Sequence, residues 1–194
     1  MRVVFLFLLA GLISCAPTDQ VEAQKTEGQM FLSKFSAHCG KAYEGKVVST
    51  DERDADFASE RLIMHVRFCS EDNIRIPFHV GENRSRTWVL SQVGDQLRLK
   101  HDHRHEDGEE DAVTQYGGDS VTAPNNGRVE FPVDQYSIDL FQREGLDQSI
   151  TNVWAIEISK TMFAYELSRE SRFFRVEFDL TTPVAAPPAP WGAR

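Results

Sequence analysis

The chain has 194 residues, a formal net charge of −9 and a pI near 5.1. Nucleic-acid phosphates attract Lys and Arg, so an acidic chain of this kind argues against a nucleic-acid partner and against attraction to anionic lipid head groups. The length suits one domain with a tether and a tail, and it is enough to bury a substantial core.

Met1-Arg2 supplies one positive charge, and residues 3–10 form an unbroken apolar run that Gly11, Leu12 and Ile13 extend. This is the layout of a secretory signal peptide, and the run falls short of the about 20 apolar residues that span a bilayer. Leu12-Ile13-Ser14-Cys15 resembles the lipobox of bacterial lipoproteins. The resemblance implies acylation at the Cys15 thiol, removal of residues 1–14, and contact with the membrane through the acyl chains. Ala16, standing where Asp would retain such a protein at the inner membrane, implies sorting to the outer membrane. The expected location is therefore the bacterial cell envelope. The processed chain would keep 180 residues and a formal charge near −10.

The two other cysteines, Cys39 and Cys69, read as a disulfide in that oxidising compartment. A closed loop of about 30 residues would contribute roughly 3–4 kcal/mol by the chain-entropy account. Residues 15–28 are polar and aperiodic and read as the lipidated Cys and a flexible tether. Residues 29–180 read as a single β-rich domain, and residues 181–194, with four prolines, as a disordered tail.

Residues 30–38 have helical spacing, with Phe31, Phe35 and His38 on one face and Gly40 as a stop. The period then changes to two. Strands are expected at 61–69, with Leu62, Met64, Val66 and Phe68 on one face, and at 73–80, with Ile74, Ile76, Phe78 and Val80. Residues 87–91 and 96–103 pair as a hairpin across Gly94-Asp95. Further short strands are expected at 112–116 and 128–133, while Gly117-Gly118 reads as a turn. Residues 134–144 read as a helix capped by Asp134 and ended by Gly145. Residues 152–159, 162–167 and 172–180 alternate cleanly and form an antiparallel meander with one wet face. The fold class is mainly β: an antiparallel barrel or curved sandwich, lipocalin-like in shape, with one or two short helices. The lipocalin Gly-x-Trp is missing, since Tyr43-Glu44-Gly45-Lys46-Val47 holds no Trp.

His101, His103 and His105 recur at spacing two in the charged run of residues 100–111. On a strand they would share a face, with neighbours about 6.8 Å apart, so one adjacent pair could converge on an ion with help from His65, His79, Glu109 or Glu110. Imidazole with carboxylate suits a divalent transition metal. His103-x-His105, Glu110 and Gly117 are also similar to part of the first cupin motif, which implies metal ligands at His103, His105 and Glu110; with His101 from the spacing, the candidate metal residues are His101, His103, His105 and Glu110. The chain departs from that motif at Leu97, where the first Gly belongs, and no His follows His105 to supply the usual fourth ligand. The alternative is a solvated, charged hairpin end, and apart from such a metal no cofactor is expected. Arg84-Ser85-Arg86 beside Trp88 could meet an anionic group or form a basic loop. No Gly-x-Ser-x-Gly elbow and no glycine-rich phosphate loop occur, so no catalytic residue is nominated.

The stretches at 74–90 and 97–108, with YGGD at 116–119 and 174–181, resemble an uncharacterised family of small exported bacterial proteins. That resemblance implies a grouping and no activity. Two functional readings remain: a non-catalytic envelope module that holds a small ligand or an envelope partner, and a metal-binding protein or metalloenzyme using the histidine run.

Overall fold

The structure is a computed structural model that describes residues 24–193. The expected signal peptide, Cys15 and most of the expected tether lie outside the described residues. Among the described residues, strands β1 (Ala42–Val47), β2 (Leu62–His65), β3 (Phe68–Cys69), β4 (Asn73–Val80), β5 (Asn83–Val93) and β6 (Gln96–His103) fill the first half. Strands β7 (Tyr116–Asp119), β8 (Arg128–Pro132), β9 (Val153–Ile158), β10 (Met162–Arg169) and β11 (Arg172–Val184) follow. They form one antiparallel sheet in the order β7-β6-β5-β4-β2-β1-β11-β10-β9-β8, with β3 also on β4, and the sheet curls into a nearly closed barrel. The expected fold class is thus observed. Three short helices accompany the sheet: α1 (Glu27–Ser33), α2 (Ala55–Ser59) and α3 (Gln135–Arg143).

Period-two alternation decides what fills the interior. Leu62 and Met64, Ile74 to Phe78 at every second position, Trp88 and Leu90, Leu97 and Leu99, Trp154 to Ile158, Phe163 and Tyr165, and Phe174 to Leu180 are all buried in one core. The outer face of β8–β11 is charged instead. There Arg175 meets Glu157, Glu166 and Glu177, and Arg128 meets Glu130 and Glu166.

Strands β7 and β8 end the sheet and do not pair with each other. Their gap is held by the start of α3. The Asp134 amide donates to the Gly117 carbonyl at 2.9 Å, and the Gly117 amide donates to Ser137 Oγ at 2.8 Å. The Ser137 hydroxyl in turn donates to the capping carboxylate of Asp134 at 2.6 Å. A Cβ at Gly118 would lie 1.7 Å from the Pro132 carbonyl oxygen, so only glycine allows this approach. Gly117-Gly118 is therefore strand and not the expected turn, and the strand expected at 112–116 starts at Tyr116 instead.

Helix α1 begins earlier than its apolar spacing indicated. Thr26 and Gln29 form a reciprocal capping box, so the helix starts at Glu27, inside the stretch expected to be tether, and ends at Ser33. Phe31, Leu32 and Phe35 then plug one end of the barrel, with Phe35 6.0 Å from Phe163 between ring centres. The strand expected at 61–69 is interrupted. Met64 faces Phe78, yet Phe68 faces Arg75, a slip of one residue that reverses the faces. Phe68 is consequently 49 % exposed, contrary to its expected core position, and Cys69 turns towards Cys39. These two cysteines lie at disulfide distance, with Cα atoms 6.1 Å apart.

The chain end also differs from expectation. Strand β11 continues to Val184, and residues 185–193 run along the outside of the barrel in place of a free tail. The Trp191 amide donates to the Arg84 carbonyl and the Arg84 guanidinium to the Ala189 carbonyl, each at 3.1 Å. Composition marked these prolines as unable to build a core. They need none, because the barrel wall supplies hydrogen-bond partners that hold the segment.

Candidate ligand cavity

Strand β5 runs the length of the barrel. Its inward positions are Arg86, Trp88, Leu90 and Gln92, and Gln92 abuts Gly28 of α1 at the plugged end. At about 3.4 Å per residue, Arg86 lies roughly 20 Å away, at the other end. The β5–β6 register sets His103 opposite Arg86 and His101 opposite Trp88, and β7 places Tyr116 opposite His101. Trp88 is stacked between Phe78, at 4.7 Å, and Tyr165, at 4.5 Å. Beside it the barrel is not filled. A cavity of about 160 Å³ remains, walled by Arg86, His101, His103, Tyr116 and Tyr165 on one side and Phe57, Leu167 and Phe174 on the other.

Hydrogen bonds fix the state of the deepest polar group. His101 Nδ1 lies 3.1 Å from the Tyr116 carbonyl oxygen, which only accepts, so Nδ1 carries the proton. Nε2 then accepts from the Tyr165 hydroxyl at 2.8 Å. Burial, reinforced by His103, pushes His101 down to about 3. Burial and then the Arg86 charge push His103 down to about 4. Burial also raises the phenols of Tyr116 and Tyr165. At neutral pH the imidazoles and phenols are therefore uncharged. Arg172 also borders the cavity, but its charge is matched by Asp54 and by Asp51. Arg86 is different. Its guanidinium lies over the Phe57 ring at 5.4 Å and, among the described residues, donates only to Asn83 Oδ1, at 3.1 Å, and Ser85 Oγ, at 3.3 Å.

The histidine run is split between two environments. His101 and His103 point into the barrel, while His105 lies past the end of β6, exposed, with Nε2 4.0 Å from an Asp111 oxygen. Glu110 is exposed and accepts from Arg104 at 3.0 Å and from Gln115 at 3.2 Å. His65 and His79 occupy the outer side of their strands, beside the C-terminal segment. Among the described residues, no three His, Cys, Asp or Glu side chains converge to hold a metal ion.

In the sequence, Arg86 reads as part of a basic loop or an anion contact. It is a strand residue in register with Trp88, and that shared parity was the available signal. Tyr116 and Tyr165 were absent from the expected site because nothing local joins residues 49 positions apart.

Fold and cavity together define a class: an antiparallel barrel plugged at one end by a helix and hollow at the other. No protein-family signature, no curated protein and no solved structure matches this chain.

Proposed function

We propose that this chain is an exported, lipid-anchored barrel of the bacterial envelope that binds a small ligand without transforming it. The observation that carries this reading is the unfilled end of the barrel. The same core that seals one end with Phe31 and Phe35 leaves about 160 Å³ open at the other, beside five inward polar side chains. Polar groups at a buried wall cost stability unless they are matched, and a convergent polar set in an apolar cavity is the general form of a ligand site. The anchor is supported by the Leu12 to Cys15 sequence alone.

Native mass spectrometry of the full chain, extracted from envelopes in non-ionic detergent, tests both parts. We expect about one small molecule per chain and a diacylglycerol adduct that Cys15→Ser removes. A chain that arrives empty and takes up no solvatochromic dye would overturn the binding reading. Unchanged membrane association of Cys15→Ser would overturn the anchor.

A further inference from the structure

From the cavity wall we infer that the ligand is a monoanion, a carboxylate on a compact apolar body, held by the Arg86 guanidinium. This rests on the cavity being the binding site. Most other arginines of the barrel wall have carboxylate partners. Arg98 is matched by Asp119, Arg104 by Asp102 and Glu110, Arg128 by Glu130 and Glu166, Arg172 by Asp51 and Asp54, and Arg175 by three glutamates. Of the two arginines that line the cavity, Arg172 is paired with Asp51 and Asp54, whereas no carboxylate pairs with Arg86 among the described residues. Arg67, Arg84 and Arg169 also lack a carboxylate among the described residues, but they do not line the cavity.

A half-buried cation among neutral partners is an incomplete arrangement. The groups around it cannot complete it. His101 and His103 are uncharged at neutral pH, and the two tyrosines keep their protons. One uncompensated positive charge therefore faces the cavity, and a single negative charge balances it. The guanidinium fork matches the two oxygens of a carboxylate. The Tyr116 hydroxyl and His103 Nε2 lie 3.3 Å apart beside it and offer a further donor. The remaining wall is apolar, formed by Phe57, Trp88, Leu167 and Phe174. The space equals that of about five liquid waters at ~30 Å³ each, so it takes an aromatic or short aliphatic acid and excludes a bulky one.

The test uses the full chain in non-ionic detergent, with thermal shift and tryptophan fluorescence as readouts, because Trp88 borders the cavity. The probes are benzoate, hexanoate, benzamide, benzylamine and inorganic phosphate. We expect benzoate or hexanoate to raise Tm and quench fluorescence, with benzamide at least tenfold weaker and benzylamine inactive. R86Q should bring the acids down to the amide's level without lowering Tm. R86K, which keeps the charge and loses the fork, should bind the acids at an intermediate level and guards against a folding defect in R86Q. Equal binding of acid and amide, unchanged in R86Q, would overturn the anion inference and leave the cavity as a site. Phosphate binding as tightly as the acids would overturn the apolar body. No binding of any organic probe would overturn the cavity reading itself.

Discussion

The two ends of this barrel are built from the same strands and are treated in opposite ways. At one end Phe31, Leu32 and Phe35 enter the interior, and Cys39 and Cys69 sit at disulfide distance beside them. At the other, Arg86, His103 and Tyr116 take the inward positions and space is left over. Phe35 is fully buried with no polar atom to satisfy, whereas Arg86 brings a charge without a carboxylate. The contrast separates stability from function along one strand: β5 carries Leu90 for the first and Arg86 for the second.

The largest expected effect lies at the plugged end. Phe35→Ala removes a fully buried ring and should cost about 3–5 kcal/mol in urea unfolding. A loss below about 1 kcal/mol would break the comparison, because the plug would then not be where stability resides.

The second effect is acid sensitivity of the open end. His101 titrates at about 3 and His103 at about 4 in the folded chain, against 6.5 ordinarily. Below pH 6.5 the unfolded chain takes up protons that the folded chain refuses. The stability these groups give is therefore complete above pH 6.5 and declines as pH falls towards their folded values. The slope is about 1.4 kcal/mol per pH unit for each imidazole that stays neutral. Urea unfolding from pH 7 to 4.5, above most of the carboxylate range, should show this decline, and His101→Gln should reduce its slope by one imidazole's share, His103 and His79, each held at about 4, supplying the rest. A flat profile in the parent chain would show that the imidazoles are not held neutral.

The smallest effect has the opposite sign. Arg86→Leu removes a half-buried, unmatched charge, so unfolding should show no loss and up to about 1 kcal/mol of gain. A loss of about 3 kcal/mol would place Arg86 with the structural arginines such as Arg175.

Much of the fold could be read in the chain because strand period two is a local property. β4, β6 and the β9–β11 meander follow directly from their alternation, as does the Asp134 cap of α3. What could not be read depends on partners distant in sequence. The one-residue slip between β2 and β3 is a property of their register on β4, and it moved Phe68 from the expected core to the surface. Gly117 and Gly118 carry no strand signal. They are strand because Ser137 and Pro132 press against them, and α2 has too few residues for a periodic pattern. The site was half legible. His101 and His103 were nominated, but as metal ligands and in company with His105, since a run of charged residues conceals where a strand stops. Arg86, Tyr116 and Tyr165 meet only after the sheet has curled.

The clasp between Gly117 and α3 has a consequence for how the barrel breathes. Every other neighbouring pair along the sheet path is joined by a ladder, from the eight residue pairs of β10 and β11 to the three of β2 and β4. Between β7 and β8 the Gly117 amide and carbonyl form the connection, through Ser137 and Asp134. Parting the wall there would break the bonds of Gly117 to Asp134 and Ser137 and the Lys100–Asp134 ion pair, while every ladder stays intact. Local opening free energy follows the number of bonds that must break together. The seam is therefore the place in the wall where no strand ladder opposes parting, and the packing of Tyr116 on Phe141 and Trp154 is what such a parting would disturb.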